Sequence, residues 1–297
     1  MLNHPGTEPP QPILVLVGRL DECWSRYHAE LKHVRSDFAE EYVHDLRVAI
    51  RRLISVIDMG QAVLQQKKKK SRRTLKMYLD SFDRLRDTQV QLVIAEEMQA
   101  DSPEIAPYRD RLREREKQQI VRLGKKIKEF SSAGLAQQVA RLRAALLGKN
   151  IPEARDAIWS VVDDSYAVLR QRRLAVRAED TAAIHRTRLA FKKFRYQVET
   201  IYPLLPDAPN DVLRRLHDYQ AAMGEIQDAE VGLQMLDAFI ARSIARSEEA
   251  LDTLRARFVE MHQARIAAFI AQIDDLESFW RPTPDKPFPW ETAPDAK

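Results

Sequence analysis

The chain is poor in the residues that break helices, cross-link strands or stack on bases. It has 8 glycines in 297 residues, and its 15 prolines gather mostly toward the two ends. Long interior stretches of Leu, Ala, Arg, Glu and Gln run without a breaker, which argues against a turn-rich β architecture and predicts an all-α protein. A single cysteine, Cys23, excludes a disulfide within the chain and fits a reducing compartment. The longest early apolar run, "PILVLV", is too short to cross a bilayer, and no basic segment precedes it. The expectation is a soluble, cytoplasmic protein with no membrane partner. Aromatics make up 7% of the chain, and there is no excess of one charge: 48 Lys and Arg face 44 Asp and Glu, a net of +4. Any anion site must come from local segregation of charge. Two local excesses are "QQKKKKSRR" from Gln65 and "GKKIK" from Gly124.

Apolar periodicity predicts helices over roughly 13–36, 40–64, 67–100, 108–130, 134–148, 152–177, 180–204, 209–243 and 245–280. "DSPEIAP" from Asp101 and "LLPDAPN" from Leu204 are breaks, with Asn210 a candidate cap for the next helix. "GKNIPEA" from Gly148 reads as a junction. The first ten residues and the segment 281–297 read as flexible, although "RPTPDKPFPW" offers Trp290 for docking.

"HDLRVAIRRL" begins at His44 and "HRTRLAFKKF" at His185, 141 positions later. At that offset Arg47 meets Arg188, Ala49 meets Ala190, Arg51 and Arg52 meet Lys192 and Lys193, and Ile57 meets Val198. The register continues without a gap through Arg73 and Arg214, Lys76 and His217, Asp87 and Asp228, and Leu92 and Leu233. This is a duplicated helical unit, with repeats over 12–148 and 149–280. At 100° per residue His44, Arg47 and Arg51 share one sector while Leu46, Ile50, Leu53 and Ile57 share another. His185, Arg188 and Lys192, continued by Arg195 and Tyr196, repeat the division against Phe191, Phe194 and Val198. These basic sectors hold almost no acid. Asp87 and Asp228 are candidates to hold a guanidinium in a fixed fork behind the basic surface. Arg111 and Arg115 lie in a helix whose acids dilute its positive charge.

The residues favour a polyanion ligand without fixing which one. Nucleic acid would present the same phosphates, although base readers and stacking aromatics are scarce on the basic faces. A phosphotransfer histidine beside Arg47 is a further possibility. A phosphate-processing enzyme would need clustered carboxylates for Mg²⁺ or a glycine-rich phosphate loop, and neither is present. "ELKH" and "EYVH", ending at His33 and His44, have the Glu-x-x-His spacing of di-iron bundles. Yet the repeat carries Ala182 at the corresponding place, and Arg47 and Arg51 would repel a cation. No metal, cofactor or catalytic residue is assigned.

"VHDLRVAIRRL", "IHRTRLAFKKFRYQVE", "RLRDTQV" and "QAAMGEIQDAE" together resemble the CHAD domain, a histidine-containing α-helical domain, over about residues 12–280. The resemblance implies two pseudo-symmetric four-helix-like bundles and a basic surface between them that binds inorganic polyphosphate without catalysis. It also implies association with polyphosphate granules. By this resemblance His44, Arg47, Arg51 and Arg52 would be ligand residues in the first motif and His185, Arg188, Lys192 and Lys193 in the second. The helix faces and the duplication add Arg73, Lys76, Arg195, Arg214 and His217 as expected ligand residues, with Asp87 and Asp228 behind them. The sequence departs from itself in two ways: lysines at 192 and 193 lack the arginine fork, and Thr187 replaces the aliphatic side chain of Leu46.

Overall fold

A computed structural model describes residues 11–66, 70–148, 154–242 and 248–292. The described chain is all-α. Its first half comprises α1 (Pro12–Ser36), α2 (Glu40–Val63), α3 (Lys70–Ser81), α4 (Asp83–Met98), α5 (Ala106–Lys126) and α6 (Ala133–Leu147). The second comprises α7 (Ala154–Leu174), α8 (Thr181–Ile201), α9 (Val212–Ile240), α10 (Glu248–Ala271) and the short α11 (Pro289–Thr292). Pro12 stands at the start of α1, where its missing N–H costs nothing. Asp180 caps α8 by accepting from the Ala183 backbone N–H at 2.8 Å. Asn210 does not cap α9: the cap position is Asp211, and its side chain makes no capping bond. The expected initial flexible segment, the lysines at 67–69, the body of the junction at 149–153 and the end of the tail at 293–297 lie outside the described residues.

The helix boundaries carry the duplication. Shifted by the 141 positions that separate His44 from His185, α1 falls on α7, α2 on α8, α3 and α4 on α9, and α5 on α10. One difference is informative. The single helix expected over 67–100 divides at Phe82, whereas α9 is continuous. The Phe82 N–H turns back to Leu79 O at 3.1 Å, a 3₁₀-type step. Phe82 itself is buried, and stays in the core while the helix axis breaks around it.

Most of the apolar core is one cluster running from Leu16 to Phe288, so the two repeats share it. Leu46, Ile50, Leu53 and Ile57 lie in it, as do Phe191, Phe194 and Val198. Thr187 fits where Leu46 stands in the first repeat because its hydroxyl donates to Ala183 O at 2.9 Å, leaving no buried orphan. The segment after 280 is a correction to the flexible reading as far as Thr292. Phe288 is buried and stacks on Trp290, whose Nε1–H donates to Pro206 O at 2.9 Å. Arg281 pairs with Asp163 at 2.7 Å. Four aromatic side chains, Trp159, Trp280, Phe288 and Trp290, hold that end of the chain down.

Pairs related by the offset also meet in space. Gln91 lies over Gly232, its partner at 141 positions: a Cβ added at Gly232 would come 2.5 Å from Gln91 Oε1. The Gln91 amide donates to Asp228 O at 2.7 Å. The first repeat supplies the side chain and the second the space for it. Equivalent residues touch each other only beside a twofold axis, so the pseudo-axis passes through the α4–α9 crossing.

Candidate functional site

The pseudo-axis opens into a groove of about 920 Å³ walled by α2, α3 and α4 from one repeat and α8 and α9 from the other. His44 and His185 both line it, with Arg47, Arg51, Arg52, Lys76, Arg188, Lys192, Arg195, His217, Asp87 and Asp228. Arg73, Lys193 and Arg214 do not. Arg73 faces a neighbouring hollow, Lys193 is exposed to solvent, and Arg214 is exposed and engaged by Asp211 and Asp218.

The basic sectors look acid-free along their own helices, but α3, α4 and α9 bring Asp80, Asp83, Asp87, Glu225 and Asp228 to the walls. Ion pairing separates the groove's cations into two sets. Arg47 is buried, and its guanidinium donates to Asp83 Oδ1 at 2.7 Å and to Leu79 O at 3.1 Å. It therefore closes the helix break at Phe82. Arg195 is also buried; it donates to the His217 Nδ1 at 3.0 Å, approaches Glu199 at 3.4 Å and lies 4.8 Å over the Tyr196 ring. An arginine only donates, so the His217 Nδ1 is the acceptor of this bond. Arg52 takes the other oxygen of Glu199 at 3.0 Å, tying α2 to α8. These three arginines are held by the fold.

Arg51, Arg188 and Lys192 form the second set. Among the described residues none of them closes an ion pair, and the buried Arg188 Nε has no hydrogen-bond partner. Burial pulls the Lys192 ammonium well below its ordinary pKa, and the guanidiniums of Arg51, Arg188 and Arg47 pull it down further. Burial likewise lowers Arg51 and Arg188, with Arg47 acting against both as a like charge. Burial also lowers His44; Arg51, Arg47 and Lys192 reinforce that shift while Asp45 opposes it. His185 bonds Gln227 through Nδ1, leaving its Nε2 for a ligand.

Asp87 and Asp228 do not form the expected guanidinium forks. Neither closes an ion pair among the described residues, and burial raises both carboxyls. Asp83, one turn before Asp87 and beside the helix break, takes that role for Arg47. Nothing in the local pattern marks Asp83, because Arg47 lies on another helix; Glu199 stands one turn after Arg195 on α8, a local pairing signal, but its second partner, Arg52, comes from α2. The "ELKH" pair is spent internally: Glu30 holds Arg26 at 2.6 Å and His33 at 3.2 Å. Among the described residues no group of three or more His, Cys, Asp or Glu is placed to hold a metal ion, and no helix is long and apolar enough to cross a membrane.

The structure is similar to the crystal structure of the CHAD domain from the plant Ricinus communis, with a TM-score of 0.68, 18% identity, and coverage of 92% of this chain and 97% of that one. It is also similar to PptA from Streptomyces chartreusis, with a TM-score of 0.64, 16% identity, and coverage of 87% and 98%. At these identities the likeness concerns the fold. No curated protein matches the chain. The CHAD domain profile matches residues 18–237, nearly three quarters of the sequence. By that match, the chain belongs to the CHAD domain family, a family of non-catalytic helical domains often linked to polyphosphate metabolism.

Proposed function

We propose that the groove binds inorganic polyphosphate, without catalysis, by laying the chain across the Arg51–Arg188–Lys192 cluster. The observation that carries this reading is the cluster itself: three half-buried cations, lowered by burial and by like charges around them, none of which closes an ion pair among the described residues although Asp228, Asp87 and Asp83 act on them from further off. A protein gains nothing in stability from such an arrangement. A linear polyanion supplies what is missing, with paired oxygens for each arginine fork and a point contact for the lysine. His44 and His185 donate from the rim, and Arg47, Arg52 and Arg195 keep the walls in place. Lys76 and His217 extend the contact line, while Arg73, Lys193 and Arg214 act only as outlying charge. On this reading the protein's cellular place is with its ligand, on cytoplasmic polyphosphate granules.

The groove is less suited to nucleic acid. Tyr196 is its only aromatic ring apart from the histidines, and it is 4% exposed beneath Arg195, which leaves no face for a base. The test is calorimetric titration of polyphosphate into the wild type and Arg51→Gln/Arg188→Gln, with RNA and duplex DNA as competitors at matched phosphate and salt. The double variant should keep its helical content and lose at least tenfold in affinity. Undiminished binding by the variant, or tighter binding to RNA by the wild type, would refute the assignment.

A further inference from the structure

A second concentration of unpaired charge lies on the other side of α4. Arg84 of α4, Arg111, Arg115 and Arg122 of α5, and Arg242 after α9 line a cavity of about 740 Å³ that has no acid in its wall among the described residues. Among the described residues none of these five guanidiniums closes an ion pair. None of the acids of α5 lines the wall: Asp110 engages Arg109, Glu116 accepts from Gln89, and Glu114 sits beside the wall, accepting from the lining Gln118. At the floor, Tyr108 is 1% exposed and its hydroxyl has no partner. The buried Gln119 Oε1 is also unpartnered. The duplication does not account for this pocket, since Glu225 stands where the first repeat has Arg84.

The pocket is joined to the groove. Arg84, Gln119 and Arg122 also border a hollow of about 270 Å³, which Asp80, Ser81 and Lys126 share with a further hollow of about 350 Å³. That last hollow shares Lys76 and Asp80 with the groove. Along the path beyond the groove, Asp80 is the only acid in the lining among the described residues. A compact anion would use one station of such a path. A long, flexible, uniformly charged chain would use all of them.

We propose that polyphosphate leaving the groove past Lys76 runs over the α3–α4 break into the arginine pocket, and that this second station makes the protein select long chains over short ones. This rests on the groove being the primary site. Each station on one linear ligand raises the effective concentration at the next, so long chains gain affinity that short chains cannot.

The experiment compares tripolyphosphate with a polyphosphate of roughly a hundred units, by calorimetry at fixed salt. Arg111→Gln/Arg115→Gln/Arg122→Gln should bind the long chain about tenfold more weakly and tripolyphosphate as the wild type does. Its salt dependence for the long chain should be shallower by about 2 in log–log slope, at roughly 0.7 per lost phosphate contact. All three arginines are exposed and Gln is a good helix former, so circular dichroism should be unchanged. Should that variant misfold, Arg84→Gln/Arg242→Gln asks the same question from the other walls. Unchanged long-chain affinity, or equal loss for both ligands, overturns the proposal and leaves the groove reading intact. Retention of tripolyphosphate binding by Arg51→Gln/Arg188→Gln would instead remove the groove reading on which it rests. ATP is the third ligand: binding that the triple variant loses, with long-chain affinity kept, would make the pocket a nucleotide site and overturn the proposal.

Discussion

Neutralising Lys192 should stabilise the free protein while weakening its ligand. The ammonium is held among Arg51, Arg188 and Arg47, with Asp228 the one opposing charge among its main influences. Two like charges about 8 Å apart interact with roughly 2 kcal/mol at an effective dielectric near 20. The three guanidiniums act on Lys192 at that order, and Asp228 and solvent screening reduce their sum to a net relief on the order of 2 kcal/mol when the charge is removed. For a protein of this size 1 kcal/mol corresponds to about 2 °C in melting temperature, so Lys192→Gln should melt about 4 °C higher than the wild type. The assay is thermal melting in a chloride buffer of low ionic strength, free of phosphate and sulfate. Adding polyphosphate at about a hundred times its Kd should stabilise the wild type by about 2.7 kcal/mol, or roughly 5 °C. The variant should gain markedly less, so the two melting curves converge or cross. A free Lys192→Gln protein that melts below the wild type would refute the reasoning, because it would show the ammonium to be compensated in the empty groove.

Two other outcomes separate ligand contacts from scaffold. His44 is depressed in the free protein by burial and by neighbouring cations, and a bound polyanion favours its protonated form, so binding takes up a proton. Affinity should therefore rise as pH falls from 8 toward 6, with a shallower slope in His44→Gln; titrations at several pH values, with helicity checked at each, would refute this by giving a flat wild-type profile. Arg47→Gln should lower the melting temperature by about 2–6 °C, because Leu79 O and Asp83 lose their donor at the helix break, a cost of roughly 1–3 kcal/mol; an unchanged melt with a large loss of affinity would return Arg47 to the ligand set.

The sequence made the duplication and the helix faces legible because both are properties of one chain direction. An offset of 141 and a period near 3.6 survive without any knowledge of packing. What it concealed depends on which helix lies opposite. Arg47 and Arg51 look equivalent on the α2 face, one turn apart, yet Arg47 reaches the α3–α4 break and Arg51 does not. Asp87 is the acid inside the recognisable "RLRDTQV", but Asp83 is the one within reach. The arginine pocket escaped for a different reason. Averaging charge along α5 counts Asp110, Glu114 and Glu116 against its arginines, although Asp110 and Glu116 occupy other faces and Glu114 only flanks the stripe. Arg111, Arg115, Gln118 and Arg122 follow spacings of 4, 3 and 4, a single acid-free stripe. Sorting that helix by face rather than by composition would have exposed it.

The acids in the groove sharpen the argument for a ligand. A uniformly positive surface would attract any anion weakly and would say little about geometry. Here the acids that close ion pairs take particular arginines: in the groove wall Asp83 takes Arg47, Asp45 takes Arg26 and Glu225 takes Arg265, and behind it Glu199 takes both Arg52 and Arg195. With acids this close, the fold could have compensated Arg51, Arg188 and Lys192 as well. It closes no ion pair with any of them among the described residues and leaves Asp228 and Asp83 to act from a distance, with Arg51 and Lys192 as equivalents of one another across the repeats. The fixed arginines bear the cost of holding the walls, so the free ones meet an incoming phosphate chain with little left to reorganise. Affinity should then follow the charge density of the ligand along its length, which sets polyphosphate above a nucleic acid backbone carrying one charge per nucleotide on each strand.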